Sequence, residues 1–467
     1  MLLLLRWWVL LWSAVVLAGG LQQTLKPPQE AAAFRLQHVL HHGANRYPKL
    51  LKRLDVHHGS ILARDDGQLS LISEKRQLVQ RLAKRGKRDV DAYFQVQRSL
   101  RAQSMAVDWT RDEIRAPDIG DIETIHAFAQ ISSNAYIEIP GAEDWYDLTP
   151  QPYNTTDGFG WEDDGLRGHV YTDRTNKTVI IGVKGTSASF FDNSPTGGND
   201  KVNDNLLFSC CCARVSYLWQ TVCDCYSGTY SCNQTCLEKS LAKEDRYYLA
   251  AINLYYNVSA MYPDSDIWMS GHSLGGAMAS LVGITFGLPT ITFEAPGDRL
   301  AAQRLHLPLP PGMPANESAI WHFGHTADPI YMGVCNGPTS SCWLGGYAME
   351  TTCKSGLECT WDTVTDKGWR VSLTNHRINF VISDVIRDYG KPPKCEALPL
   401  CVDCFNWNFV DNSTHAEPKP TTSSTSPSKH TMTSASSRPS TTNPGSKPVK
   451  KCKHRNFIGW CKHWQDA

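Results

Sequence analysis

The segment that most narrows what this chain can fold into is Gly271-His272-Ser273-Leu274-Gly275-Gly276. It follows Ile267 to Ser270, which reads as a short strand, and it opens Leu274 to Phe286, which reads as a helix. Glycines two residues either side of a serine permit the tight strand-to-helix turn that lifts a hydroxyl clear of a sheet edge. A hydroxyl at its ordinary acidity is a poor nucleophile, so a serine presented this way needs a base beside it. Short glycine patterns arise often by chance. The strand before and the helix after give this one weight against the competing reading, a small-residue helix start packed on a sheet.

The flanking pattern is that of an α/β domain. Ile122 to Tyr136, Arg246 to Met261 and Ile378 to Ile386 have helical apolar spacing. His169 to Tyr171 and Thr178 to Val183 read as strands joined by the turn Asp173-Arg174-Thr175-Asn176, with further strands at Thr290 to Phe293 and Ala319 to Phe323. Alternating strands and helices predict a largely parallel sheet covered on both faces, an α/β-hydrolase arrangement over residues 113–410. Residues 22–112 form a basic lead-in with His41-His42-Gly43 and His57-His58-Gly59. It reads as a solvated segment or a strand pair packed on the main domain, ahead of a metal site on the histidine pairs. Lys84-Arg85-Gly86-Lys87-Arg88 is a charged loop or a cut site for processing proteases.

A nucleophilic serine of this fold is followed in chain order by an acid and then a histidine. Asp328, in His325-Thr326-Ala327-Asp328-Pro329-Ile330, stands just past a strand and is preferred to the earlier Asp298. His376 is the expected base; His322 and His325 precede the acid, and His272 neighbours the serine and is expected to point away from the cleft. Two backbone N–H groups must face the developing oxyanion. Leu274 supplies one, and Thr186 in Val183-Lys184-Gly185-Thr186-Ser187 supplies the other, with its hydroxyl holding the loop. A strand-end turn is the plainer reading of Gly-Thr-Ser.

Three features place the chain in an oxidising lumen. Residues 1–21 are apolar after Arg6 and read as a cleaved signal or a signal anchor. Sequons for glycosylation occur at Asn154, Asn176, Asn233, Asn257, Asn316 and Asn412. The 16 cysteines are clustered, as disulfide frameworks are. Cys401 and Cys404 form a C-x-x-C, but no second pair sits at zinc-finger spacing, so disulfides are expected and no metal. Lys+Arg and Asp+Glu are both 46, which gives no argument for a nucleic-acid partner. Residues 411–450 are rich in Ser, Thr and Pro and read as an extended linker. The tail 451–467 is basic and aromatic, closed by one disulfide between Cys452 and Cys461, and reads as a membrane-contacting segment or an unimportant terminus.

With its G-H-S-L-G-G elbow, its Lys-Gly-Thr strand end, its Asp-Pro-Ile acid and a late histidine, the chain resembles the class 3 lipases over about residues 113–389. Its flanks are similar to those of the fungal, autophagy-related vacuolar branch of that family. The resemblance implies a serine lipase or phospholipase with Ser273, Asp328 and His376 as catalytic residues, Thr186 and Leu274 as oxyanion donors, and no cofactor. It implies a single-pass type II anchor at residues 1–21 and passage through the endoplasmic reticulum and multivesicular bodies to the vacuole. Its partners are then membrane lipids, phosphatidylinositol and phosphoinositides among them, in intraluminal vesicles. By position, Ser189 to Cys236 takes the place of the family's lid and is expected as a disulfide-braced lid or as a packed structural insert. Two other functions stay open on the residues alone, a secreted esterase of polymers and a non-catalytic glycosylated module.

Overall fold

Strands β1 (Ala31–His42), β2 (Leu51–Asp55), β3 (Leu71–Leu82), β4 (Trp109–Pro117), β5 (Leu166–Asp173) and β6 (Thr178–Val183) enter the main sheet first. After a small pair, β7 (Tyr226–Gly228) and β8 (Ser231–Asn233), come β9 (Asp266–His272), β10 (Thr290–Phe293), β11 (Ile320–His325), β12 (Leu357–Trp361) and β13 (Cys395–Glu396). The computed structural model describes residues 31–44, 47–56, 71–99, 107–137, 140–148, 165–186, 197–214, 221–411, 450–455 and 461–466. The expected anchor, Asn154, Asn412, His57-His58 and the Ser/Thr-rich linker lie outside these residues. Among the described residues no helix is long and apolar enough to cross a membrane. The chain divides into residues 1–414 and 415–467. In the second unit Lys450–Arg455 and Cys461–Asp466 pair antiparallel.

In the first unit the strand order is β13-β12-β11-β10-β9-β6-β5-β1-β3-β4, with β2 paired to β1. The five neighbours β6, β9, β10, β11 and β12 run parallel, and β5 joins β6 as an antiparallel hairpin. Asn176 turns that hairpin at φ 55°, a left-handed conformation that asparagine tolerates. β1, β3 and β4 pair antiparallel beyond β5, so residues set apart in the sequence as a lead-in run into the catalytic sheet.

The central strands are buried on both faces, which is why Thr178-Val-Ile-Ile-Gly-Val reads as a nearly continuous apolar run. Alternate residues serve two cores. Val179, Ile181 and Met269 face a core with the helices Tyr247–Met261 and Leu274–Phe286. Ile180 and Trp268 face another, formed with helix Ile122–Asn134 and with Ile378–Phe380, which continues through Val381–Ile386. Each such fully buried side chain contributes about 1.5–3 kcal/mol.

The cysteine-rich insert is a packed part of this domain. Its helix Gly197–Leu207 carries Leu206 and Leu207, which with Phe208 are buried in the first core. Phe190, Phe191, Tyr217, Leu218 and Trp219 of the same insert lie outside the described residues. Cys211–Cys232, Cys212–Cys223 and Cys225–Cys236 close the insert on itself, while Cys210–Cys404 ties it to the last segment. Cys353–Cys401, Cys359–Cys395 and Cys335–Cys342 are the other bridges among the described residues, so Cys401 and Cys404 take different partners. Arg304, buried below the insert, donates to the carbonyls of Ser209 and Cys210. Of the glycosylation sequons, Asn176, Asn257 and Asn316 are exposed, whereas the Asn233 side chain caps helix Gln234–Leu241 by accepting from the Cys236 N–H.

Burial also lowers several histidine pKa values, His42 and His126 to about 4 and His169 and His272 to about 3. The unfolded chain takes these protons near pH 6.5, but the fold does not. Their contribution is therefore intact above that pH and is lost as pH falls toward 4 and 3, at up to about 1.4 kcal/mol per pH unit for each group. The unfolding midpoint is expected to fall steadily from pH 7 to pH 4.5 in a calorimetric series; a flat profile would contradict the neutral burial of these rings.

Candidate active site

Ser273 sits at φ 57° and ψ −130°, between the end of β9 and the first turn of helix Leu274–Phe286. Such a backbone costs about 1–3 kcal/mol and persists only where packing enforces it. Here the enforcement is close backbone contact. A Cβ on Gly275 would lie 2.3 Å from the Val183 carbonyl oxygen, and one on Gly271 would lie 2.4 Å from that of Gly275. Real Cβ atoms do not approach that closely, so the glycines flanking Ser273 are steric requirements. The same packing lays the exit of β6 against the elbow: a Cβ on Gly185 would meet the His272 carbonyl at 2.4 Å.

His376 Nε2 lies 2.9 Å from Ser273 Oγ, and its Nδ1 lies 2.7 Å from Asp328 Oδ2. The three residues expected from chain order thus meet as one hydrogen-bonded series. Asp328 leaves the end of β11 fully buried, with Oδ1 accepting from the Ile330 N–H at 2.9 Å. Burial pushes its pKa up, but His376 and the hydrogen bonds outweigh this and hold it down at about 2. The carboxylate is charged across the physiological range. A charged acceptor at Nδ1 fixes the proton there and leaves Nε2 free to accept from the serine hydroxyl.

The alternatives are engaged elsewhere. Asp298 accepts from the Ser280 hydroxyl at 2.5 Å and the Ser355 N–H at 2.7 Å. His322 bridges the Thr292 hydroxyl and the Ser355 carbonyl. His325 bridges the Thr363 hydroxyl and the Asn375 carbonyl.

The residues just before Thr186, Val183 to Gly185, pack against Gly275 and His272 of the elbow, and the Thr186 hydroxyl donates to Asp204 Oδ2 at 2.6 Å. Asp204 belongs to the insert helix Gly197–Leu207 and is fully buried, which pushes its pKa up to about 8. On the same helix Asp200 accepts from the Tyr247 hydroxyl at 2.7 Å and faces Lys184 Nζ at 3.6 Å. The insert therefore grips the expected oxyanion loop from below.

Two contributions were invisible in the sequence. His272 donates from Nε2 to the His376 carbonyl at 2.7 Å, and its Nδ1 accepts from the Tyr136 hydroxyl at 2.8 Å. Burial keeps this ring neutral, as one donor and one acceptor require. Instead of only pointing away, His272 holds the backbone of His376. Tyr136 lies at the far end of helix Ile122–Asn134, and no spacing in the chain links it to the elbow. Tyr136→Phe leaves the His272 Nδ1 acceptor buried without a donor, a cost of about 1–3 kcal/mol. The variant is expected to unfold at lower temperature and to lose turnover, both measurable on the purified chain; unchanged values for both would remove the strut.

The Lipase (class 3) family pattern matches residues 251–288, which hold the elbow and most of the two helices beside it. A relative from Candida albicans bearing the name "Putative lipase ATG15" is 50% identical over 421 residues, covering 80% of this chain and 70% of the relative. Another of that name, from Meyerozyma guilliermondii, is 44% identical over 507 residues, covering 94% and 89%. Among solved structures, Lip2 lipase from Yarrowia lipolytica aligns at 17% identity and a TM-score of 0.27, over 51% of this chain and 77% of that one. On the relatives' identity and coverage, the chain belongs to the ATG15 lipases, carboxylic ester hydrolases of class 3.

Proposed function

We propose that this lipase hydrolyses acyl esters of membrane phospholipid, and of triacylglycerol, with Ser273 as nucleophile, His376 as base and Asp328 as the acid that orients it. The observation carrying this is the unbroken series Ser273–His376–Asp328 at 2.9 and 2.7 Å. The Ser273 proton moves to His376 Nε2 as Oγ attacks the ester carbonyl, and the imidazolium is held by the Asp328 carboxylate. The N–H groups of Thr186 and Leu274 stabilise the oxyanion. His376 then protonates the leaving alcohol, and water, deprotonated by the same nitrogen, releases the fatty acid from Ser273.

The setting follows from the relatives' names and the chain's own lumenal features. We read the substrate as the membranes of autophagic bodies and of multivesicular-body vesicles, broken down in the vacuole. The apolar residues 1–21 then serve as a single-pass type II anchor for delivery through the endoplasmic reticulum and endosome. The exposed sequons and the disulfides support that route. Phosphatidylinositol and phosphoinositides are proposed among the lipids bound.

The test is fatty-acid release from phosphatidylcholine vesicles with and without phosphatidylinositol, beside emulsified triacylglycerol. Ser273→Ala is expected to lower release by about 10³-fold or more on every surface. Release from the emulsion alone would remove the phospholipase reading, and release surviving in the variant would remove Ser273 as nucleophile.

A further inference from the structure

The proposed reaction leaves unused a second carboxyl group beside Asp328. Glu294 follows β10 directly and is fully buried. Its backbone is at φ 46°, a region where side chains other than glycine and asparagine are strained. The backbone is held there by its N–H, which donates to the Phe323 carbonyl on β11 at 2.9 Å. A buried acid and a strained backbone are two costs at one position, and an apolar residue would avoid the first.

The surroundings say what state the acid is in. Oε2 accepts from the His325 N–H at 3.4 Å, while among the described residues no donor reaches the buried Oε1. The carboxyl group is in hydrogen-bonding contact with Asp328. His325 Nε2 lies 3.8 Å from Oε1, but it donates to the Asn375 carbonyl at 3.1 Å while Nδ1 accepts from the Thr363 hydroxyl at 2.8 Å. That ring is neutral, since burial lowers its pKa, and offers no counter-charge. Lys354 acts on Glu294 only through its field, because its ammonium donates to the Tyr331 carbonyl at 2.7 Å. The Tyr331 hydroxyl is engaged with the His322 carbonyl and with Thr360. Two carboxyl groups in contact in such a site cannot both be ionised. Burial first, and the Asp328 charge second, push the Glu294 pKa well up, while Asp328 stays low.

We propose that Glu294 is a positioning residue that keeps its proton and donates it in a hydrogen bond to Asp328, fixing that carboxylate for His376. The inference rests on the triad reading above. It differs from a second charged acid in what it does to the histidine: a protonated Glu294 adds a donor to Asp328 and no negative charge.

The experiment follows kcat/KM against pH on a soluble short-chain ester for the purified full chain and its Glu294→Gln, Glu294→Leu and Ser273→Ala variants. Gln keeps a neutral donor of the same length. Its activity is expected within about threefold of the parent, with the acid limb superimposed, whereas Leu loses about tenfold or more. A Gln acid limb displaced to lower pH would show that a negative charge had been removed and would overturn the proposal, as would a Leu variant as active as Gln. If the Leu variant does not fold, the acid limb of the Gln variant decides alone. Parental activity in Ser273→Ala would instead bring down the triad reading itself, a failure separate from that of Glu294.

Discussion

The close packing of the elbow against the end of β6 is the constraint on which the rest of the site depends. With 2.3 Å between a notional Gly275 Cβ and the Val183 carbonyl, the turn has room for nothing but glycine. That close packing holds Ser273 at its positive φ and lays Gly185 against Gly275 and the His272 carbonyl. In the proposed reaction this sets the Ser273 hydroxyl and the expected backbone donors before substrate arrives, so their alignment costs nothing at the transition state.

From this contact outward, successive layers immobilise the reacting groups. His272, neighbour of Ser273, anchors the carbonyl of His376 and is itself anchored by Tyr136. Asn375, the residue before His376, donates to the Ala327 carbonyl and accepts from His325. The loops that carry His376 and Asp328 are thereby cross-linked twice. Rigid support of this kind matters because a histidine that drifts by an ångström loses its hydrogen bond to the serine.

The disulfide-rich insert serves the same end from the other side. It buries Leu206, Leu207 and Phe208 in the main core and sends Asp204 to the Thr186 hydroxyl. The Cys210–Cys404 bridge ties the end of the insert helix covalently to the last segment of the domain. With several neutral histidines buried, covalent staples offset stability that falling pH removes.

Local sequence determined the elbow, the central strands and the chain order Ser273, Asp328, His376, because a turn that needs glycine and a strand buried on both faces leave their marks on adjacent residues. Thr290–Phe293 and Leu274–Phe286 were legible to the residue. Only the tertiary structure decided that Asp328 and not Asp298 meets the histidine, and that the lead-in strands join the catalytic sheet. The same holds for the partners of Cys401 and Cys404 and for the places of Tyr136, Asp204 and Glu294. The physical reason is separation along the chain. Contacts such as Tyr136 with His272, or Cys210 with Cys404, follow from how sheet and helices stack, and no periodicity within either segment encodes them.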